Sequence, residues 1–551
     1  MSNKYFSLVL HSHIPYVLAH GSWPHGMDWL FEAAAESYLP LLDVFYRLSN
    51  EGISANVNVS FTPVLMEQLK NPSFASGFKE YLRMKIDIAR KDRPYFDKTG
   101  NMPLLGLTSF WETWYEKLLQ DFTETYHEDI ISAYRRLQDE GKIEIMTSAA
   151  THSYFPLLSE DDSIRFQIRQ GRMVYQQYFD RPPRGFWLPE CAYRPGYLWK
   201  APLGNKESVE RLGVDEILGQ EGLGCFFVDT HLLRGGEAKG VYLDRFPALK
   251  LLWEKFEKQY RPAQESPKTP LLAYLAHPSK VPFLVRDEPS GTQVWSGKTG
   301  YPGDGWYLEF HKKHFPGGMR YWRITSSDAD LGDKQPYNPE KIQDRMEENS
   351  GHFVDSLQET LKGQKEGVIV ALYDTELFGH WWFEGPEWLY LVLKKLQKTE
   401  VKPQKAVDCL EALRPHTLIS LPEGSWGKGG FHWIWLNDDT SWIWEKIYKI
   451  EEEAKNLKHL PLANKKTRIL KQFIREKFLL ESSDWPFLIS TWSARDYAEN
   501  RAAEHFERAI TLVDWLKRSE PLNAVEQKLL EAWEEEDRLF EQVVAPDGNV
   551  I

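Results

Sequence analysis

The sequence predicts an α/β fold built on a parallel sheet and followed by an all-helical domain. Three observations carry this reading. Seven short apolar runs each end on a polar residue, amphipathic stretches separate most of them, and strand signals nearly vanish after about residue 400. Apolar runs without alternation suit strands covered on both faces, as in parallel sheets. Strands alternating with helices indicate βα units. Seven such units, with polar groups collected at one end, suggest a TIM-type barrel with one unit missing. An open doubly wound sheet meets the same pattern.

In order, Tyr5–Leu10 runs into His11 and His13, Ser54–Val59 into Ser60 and Thr62, and Lys142–Met146 into Thr147, Ser148 and His152. Gly185–Pro189 ends at Glu190, Cys225–Val228 at Asp229, Val281–Val285 at Arg286, and Gly367–Tyr373 at Asp374. Amphipathic helices are expected between them, for example over Glu32–Leu48 and Asp129–Glu140. Two segments exceed a simple crossover. Residues 65–140, aromatic as far as Tyr126, read as an inserted helical subdomain within a catalytic part spanning 1–400. Residues 235–280, with Gly235-Gly236 and a middle rich in Pro, Lys and Glu, read as an active-site loop or a surface excursion. Residues 401–551 read as the helical C-terminal domain, with helices over Lys405–Leu413, Ser441–Leu457, Lys465–Leu480, Ala494–Leu516 and Ala524–Val543. Two aromatic loops, Pro422–Trp435 and Ser482–Pro486, interrupt it.

Bulk properties narrow the partners. The net charge of −13 over 551 residues argues against a nucleic-acid partner. Cys191, Cys225 and Cys409 are too few and too scattered for a disulfide framework or a thiolate metal site. The N-terminus lacks a long apolar stretch and no window reaches the length of a membrane span, so a cytoplasmic protein is expected. The aromatic content is high, with 22 Trp, 25 Tyr and 29 Phe. Several Trp sit beside Gly, Pro and Asp in loop-like sequence. Aromatic faces stack on the apolar faces of sugar rings, which makes carbohydrate the first expectation.

Glu190 and Asp374 are the candidate catalytic pair. Breaking a glycosidic bond takes one carboxyl group to protonate the departing oxygen and another to attack C1 or activate water. Polar residues at C-terminal strand ends are the usual source of catalysis in barrels. His11-Ser-His13, completed by His152, admits two readings: a metal site of a metal-dependent deacetylase or hydrolase, or hydrogen bonding to sugar hydroxyls. No HExxH motif accompanies it. Gly300-Tyr301-Pro-Gly303-Asp304 has tight-turn chemistry. With Arg286 and Trp295 nearby, it offers a mixture suited to a polyhydroxylated substrate.

At this point the motifs, taken in order, carry a resemblance. His11-Ser-His-Ile-Pro-Tyr16, Glu144-Ile-Met-Thr-Ser-Ala-Ala-Thr-His152, Trp187-Leu-Pro-Glu190, Tyr373-Asp374-Thr-Glu376-Leu-Phe-Gly-His380 and Ser483-Asp484-Trp-Pro-Phe487 resemble the five regions of glycoside hydrolase family 57. Trp23-Pro-His-Gly-Met-Asp-Trp29, Val294-Trp295-Ser and Gly424-Ser-Trp426-Gly are similar to its 1,4-α-glucan branching enzymes. The resemblance covers nearly the whole chain. It implies a distorted (β/α)7 barrel and a retaining double displacement with no metal and no cofactor. It makes Glu190 the nucleophile and Asp374 the general acid/base. It assigns His11, His13 and His152 to active-site polar groups, and Arg286, Gly303, Trp426 and Asp484 to glucan contacts. Trp29, Trp295 and Trp435 would line the cleft, and Tyr242 is the nearest candidate for a tyrosine carried over the site by a mobile loop. An α-glucan is the expected partner and a monomer the expected state. The α-amylases and 4-α-glucanotransferases of the same family are the alternative, followed by a glucan-binding protein of vestigial activity. After Phe487-Leu-Ile-Ser the chain departs from the family pattern, with Thr491-Trp-Ser-Ala in place of Gly-Gln-Ala.

Overall fold

A computed structural model describes residues 3–204, 207–242, 245–458, 466–545 and 548–551. Seven parallel strands form its centre: β1 (Asn3–Ser12), β2 (Val57–Phe61), β3 (Ile143–Ser148), β4 (Phe186–Trp187), β5 (Phe226–Val228), β6 (Pro282–Val285) and β7 (Glu366–Asp374). Each lies within three residues of a run expected from sequence. β1 is buried from Phe6 to Ser12, and β7 from Gly367 to Tyr373. This explains their unbroken apolar character, since both faces are covered.

Backbone bonds follow the strands around a closed ring. The order β7-β1-β2-β3-β4 is continuous. The Phe186 N–H donates to the Cys225 carbonyl at 2.8 Å and links β4 to β5. β5 pairs with β6 in parallel. The Asp287 N–H donates to the Val370 carbonyl at 2.8 Å, and Arg286 bridges Val370 in parallel, bringing β6 back to β7. The seven-stranded barrel is therefore the observed solution, not the open sheet. It is distorted, because several strands are very short and only the second half of β1 pairs with β2.

The residues inserted between β2 and β3 are helical. Pro72–Lys98 and Met102–Gln120 form a long helical hairpin, and Ile130–Asp139 returns the chain to the barrel. Asn71 and Asn101 cap the two long helices through their side chains. A long irregular segment between β6 and β7 packs on this hairpin: the Trp111 indole donates to the Arg320 carbonyl at 2.6 Å, and Tyr321 donates to Asp92 at 2.9 Å. The 235–280 segment contains a helix at Pro247–Phe256 and a strand at Tyr274–Ala276, antiparallel to β6.

Pairing with the barrel side continues past residue 400. Lys402–Pro403 pairs with β1, and Leu418–Ile419 with Tyr274–Ala276. The helices Ser441–Leu457, Thr467–Leu480, Asp484–Thr491, Arg495–Lys517 and Ala524–Glu536 then follow. They dock through buried polar contacts: His20 with Asp537 at 2.8 Å, Arg501 with the Tyr16 carbonyl at 2.7 Å, and Glu451 with Ser159 at 2.6 Å. These contacts hold the helices to the loops that follow β1 and β3, on the side where the strands end. Among the described residues no helix is long and apolar enough to cross a membrane.

Candidate active site

A cavity of about 400 Å³ opens over the strand ends. Glu190, Asp374, His11, His13 and His152 line it, together with Trp29, Tyr242, Trp295, Trp426 and Asp484. The chain reverses sharply after two of the strands. Glu190 and Cys191 lie in the left-handed region at φ +61° and +46°, and His152 at +57°. Non-glycine residues adopt that conformation at a cost and tend to cluster where function requires it.

Glu190 is almost fully buried, and its Oε2 accepts two hydrogen bonds. Tyr242 Oη donates from 2.7 Å and the Trp426 indole N–H from 2.7 Å. Burial is the largest influence on this carboxyl and the Asp374 charge the next. Together they push its pKa up to about 8, against the opposing pull of the two donors. Asp374, at the end of β7, is raised well above the carboxylate range by burial and then by Glu376, opposed by Arg245. Two carboxyl groups in one dry pocket cannot both ionise cheaply. The two donors favour the ionised form of Glu190, which makes it the candidate for the anion of the pair.

The histidines form one connected network. His11 Nε2 meets His152 Nε2 at 3.0 Å, while their Nδ1 atoms reach Ser60 Oγ and Ser483 Oγ at 3.2 and 2.8 Å. The His11 ring also stacks on Trp187, with centroids 4.5 Å apart. Burial and neighbouring imidazoles hold His11 well below the usual histidine range, so it stays neutral. Burial does the same to His152, reinforced by His13. His13 bridges Thr62 Oγ1 at 3.0 Å and Asp484 Oδ2 at 2.9 Å. Burial works to raise the Asp484 carboxyl, but His13, His152 and Ser482 together leave the group below its ordinary value. His13, His152 and Asp484 each place one ligand-type atom within 4.8 Å of the others, so the metal reading retains a geometric basis. These residues also line the cavity, which equally suits sugar recognition.

Three candidates stand apart from this cavity. Arg286 is buried in a bidentate pair with Asp229, at 3.0 Å and 2.9 Å from Nη2. That pair ties the ends of β5 and β6, and spends the guanidinium on the barrel. Trp435 is fully buried and stacks on Tyr154 at 4.3 Å. Gly303 closes a turn in which a Cβ would fall 2.2 Å from the Gly297 carbonyl oxygen, so its role there is steric.

Other lining residues had no sequence-based expectation. The Arg245 guanidinium lies 5.4 Å from the Trp295 ring centroid and 5.1 Å from that of Trp381. Burial lowers its pKa to about 10, against the attraction of Asp374. Glu376, two residues beyond Asp374, accepts from Tyr38 Oη at 2.5 Å and from the His13 N–H at 3.4 Å. Burial raises its pKa to about 7. Glu376 falls inside a quoted motif and Trp381 directly follows it, so both could have been singled out there. Arg245 carries no local signal.

Comparison with known proteins converges on one family. Residues 7–422 match the description "Glycosyl hydrolase family 57", and residues 445–546 match "1,4-alpha-glucan branching enzyme, C-terminal". The chain is 40% identical to a 1,4-alpha-glucan branching enzyme of Thermococcus kodakarensis, over 98% of this chain and 78% of that protein. The fold is similar to a crystal structure of a family 57 branching enzyme from Thermococcus kodakaraensis in complex with glucose and additives. That likeness has a TM-score of 0.88 and 39% identity, over 98% of this chain and 95% of the other. It is also similar to the alpha-amylase AmyC of Thermotoga maritima, at 28% identity and a TM-score of 0.79 over 99% of both. A family match over most of the chain, and a 40% identical relative spanning nearly all of it, establish that this chain belongs to glycosyl hydrolase family 57.

Proposed function

We propose that this chain is a 1,4-α-glucan branching enzyme working by a retaining double displacement. The carrying observation is the seat of Glu190: a buried carboxyl group with two neutral donors, sharing its pocket with Asp374, whose carboxyl is held well above its ordinary range. Glu190 attacks C1 of an α-1,4-linked glucosyl unit as Asp374 donates its proton to the departing O4. The donor segment is then bonded to Glu190 and its reducing-end fragment leaves. Asp374, now ionised, removes the proton from the 6-hydroxyl of an acceptor glucan. The resulting oxygen attacks C1, forms the α-1,6 bond and frees Glu190. His11, His13, His152 and Asp484 hold hydroxyls of the reacting sugar, and Trp29, Trp295 and Trp426 supply apolar walls. Water must be kept out while the acceptor enters.

Amylose incubated with the protein and then debranched with an isoamylase-type enzyme tests this reading. New short chains released by the debranching step are expected. A rise in reducing ends with no released chains would instead establish an α-amylase, the reading favoured by the likeness to AmyC. Activity is expected to survive a chelator. Loss on chelation and recovery with zinc would assign His13, His152 and Asp484 to a metal.

A further inference from the structure

A second cavity of about 400 Å³ shares no residue with the first, yet is built from the same two segments that seat Glu190. Trp253, Phe256 and Tyr260 enter it from the 235–280 segment, and Phe431 and Trp433 from the loop that carries Trp426. Tyr197 completes the wall from an antiparallel hairpin, Tyr197–Trp199 with Val209–Arg211. Trp433 lies 5.5 Å from Trp253 and 5.8 Å from Phe256, centroid to centroid, so the rings form one continuous surface. Phe431 is 54% exposed and Tyr197 38% exposed. Trp253 and Trp433 are buried beneath them, and core packing does not account for the exposed Phe431 and Tyr197 at the mouth of the same concavity.

Polar groups stand among these rings. Glu423 accepts from Tyr197 Oη at 2.6 Å and pairs with His432 Nε2 at 2.8 Å. Both Glu423 and His432 line the cavity. Ring faces interleaved with a carboxylate and an imidazole fit a sugar chain, whose C–H faces stack while its hydroxyls bond at the edges. The two segments also touch backbone to backbone. The Gly429 N–H donates to the Ala238 carbonyl at 2.9 Å, and a Cβ on Gly240 would fall 2.4 Å from the Lys428 nitrogen. Tyr242 lies two residues beyond Gly240, and Trp426 two before Lys428.

We propose that this groove binds a second strand of α-glucan, one that is not being cleaved, and thereby holds polymeric substrate beside the catalytic pocket. The proposal rests on the reading of the chain as a glucan-active enzyme. Its test separates the two. In a Glu190→Gln background, where no turnover intervenes, amylopectin affinity is measured by retardation in native gels containing the polysaccharide. The double variant Tyr197→Ala/Phe431→Ala should bind amylopectin about tenfold more weakly, from the loss of two stacking faces. Phe431→Ala alone should show part of that loss without disturbing Glu423. In the active background, KM for amylose should rise while kcat holds. Unchanged amylopectin affinity in the double variant, with an unchanged melting temperature, overturns the groove. A wild-type chain that retards on amylopectin but releases no branches in the amylose assay overturns the branching reading and leaves the groove standing.

Discussion

The ends of β4 and β7 each deliver one buried carboxyl group to the same cavity, but their surroundings differ in kind. At the end of β4 the backbone is held in a left-handed turn, and Tyr242 and Trp426 both donate to Glu190 Oε2. At the end of β7 the backbone is ordinary and extended. Asp374 there feels another carboxyl group, Glu376, and the cation of Arg245. One site is built to stabilise an anion by hydrogen bonds, the other to keep a proton by burial and like charge. Identical chemistry in the side chains becomes two roles through environment alone.

The widest test of this contrast removes one carboxylate at a time. Glu190→Gln should lose on the order of 10⁴-fold or more in kcat with every donor, because no nucleophile remains. Asp374→Asn should lose about 10²- to 10⁴-fold on glucan. It should recover much of the first step with a glycosyl fluoride, whose leaving group needs no proton. Equal losses on the fluoride would erase the distinction between the two ends.

A finer test touches the donors. Tyr242→Phe deletes a hydrogen bond to a charged group, worth about 1.5–3 kcal/mol, or roughly a 10- to 100-fold fall in kcat/KM. The bond favours the carboxylate form, so its loss raises the Glu190 pKa. The acid limb of the pH–rate profile should therefore move to higher pH. Trp426→Phe should move it the same way, and a shift to lower pH in either variant contradicts the proposed seat.

The smallest expected effect lies at Glu376. Its charge raises the Asp374 pKa, so Glu376→Gln should lower it. Asp374 would then lose its proton sooner on the way up, and the alkaline limb should shift to lower pH. Because Gln can still meet Tyr38 and His13, the fall in kcat near neutrality should stay below about tenfold. An unmoved alkaline limb would remove Glu376 from the electrostatics of the pair.

Much of the barrel was legible because strands buried on both faces are mainly apolar and gather polar residues at their ends, although Ser7, Asn58 and Glu144 are buried polar residues inside strands. That rule located all seven strands and both carboxylates. It could not distinguish a strand-end residue facing the cavity from one facing its neighbour. Arg286 therefore looked like a substrate contact, although it is paired with Asp229. Closure of the ring was equally silent, since it depends on a bridge between Arg286 and Val370, far apart in sequence. Tyr242 was visible only as one tyrosine in a long insertion. Its reach to Glu190 is set by the contact of that insertion with the 422–435 loop. Trp435, in the same loop as Trp426, had the same local signal but is buried against Tyr154.

The two donors to Glu190 belong to neither its own strand nor each other's segment. Tyr242 lies 52 residues beyond Glu190, and Trp426 lies 236 residues beyond it. Any displacement of the tyrosine that admits bulk water also strips a donor from the carboxylate. Access and full reactivity are thus opposed, since the Trp426 donor alone remains on the carboxylate. For an enzyme that must hand a sugar chain to another sugar chain across a medium that is about 55 molar in competing nucleophile, whose entry the closed site must limit, this is a coupling: the site works best while it is shut.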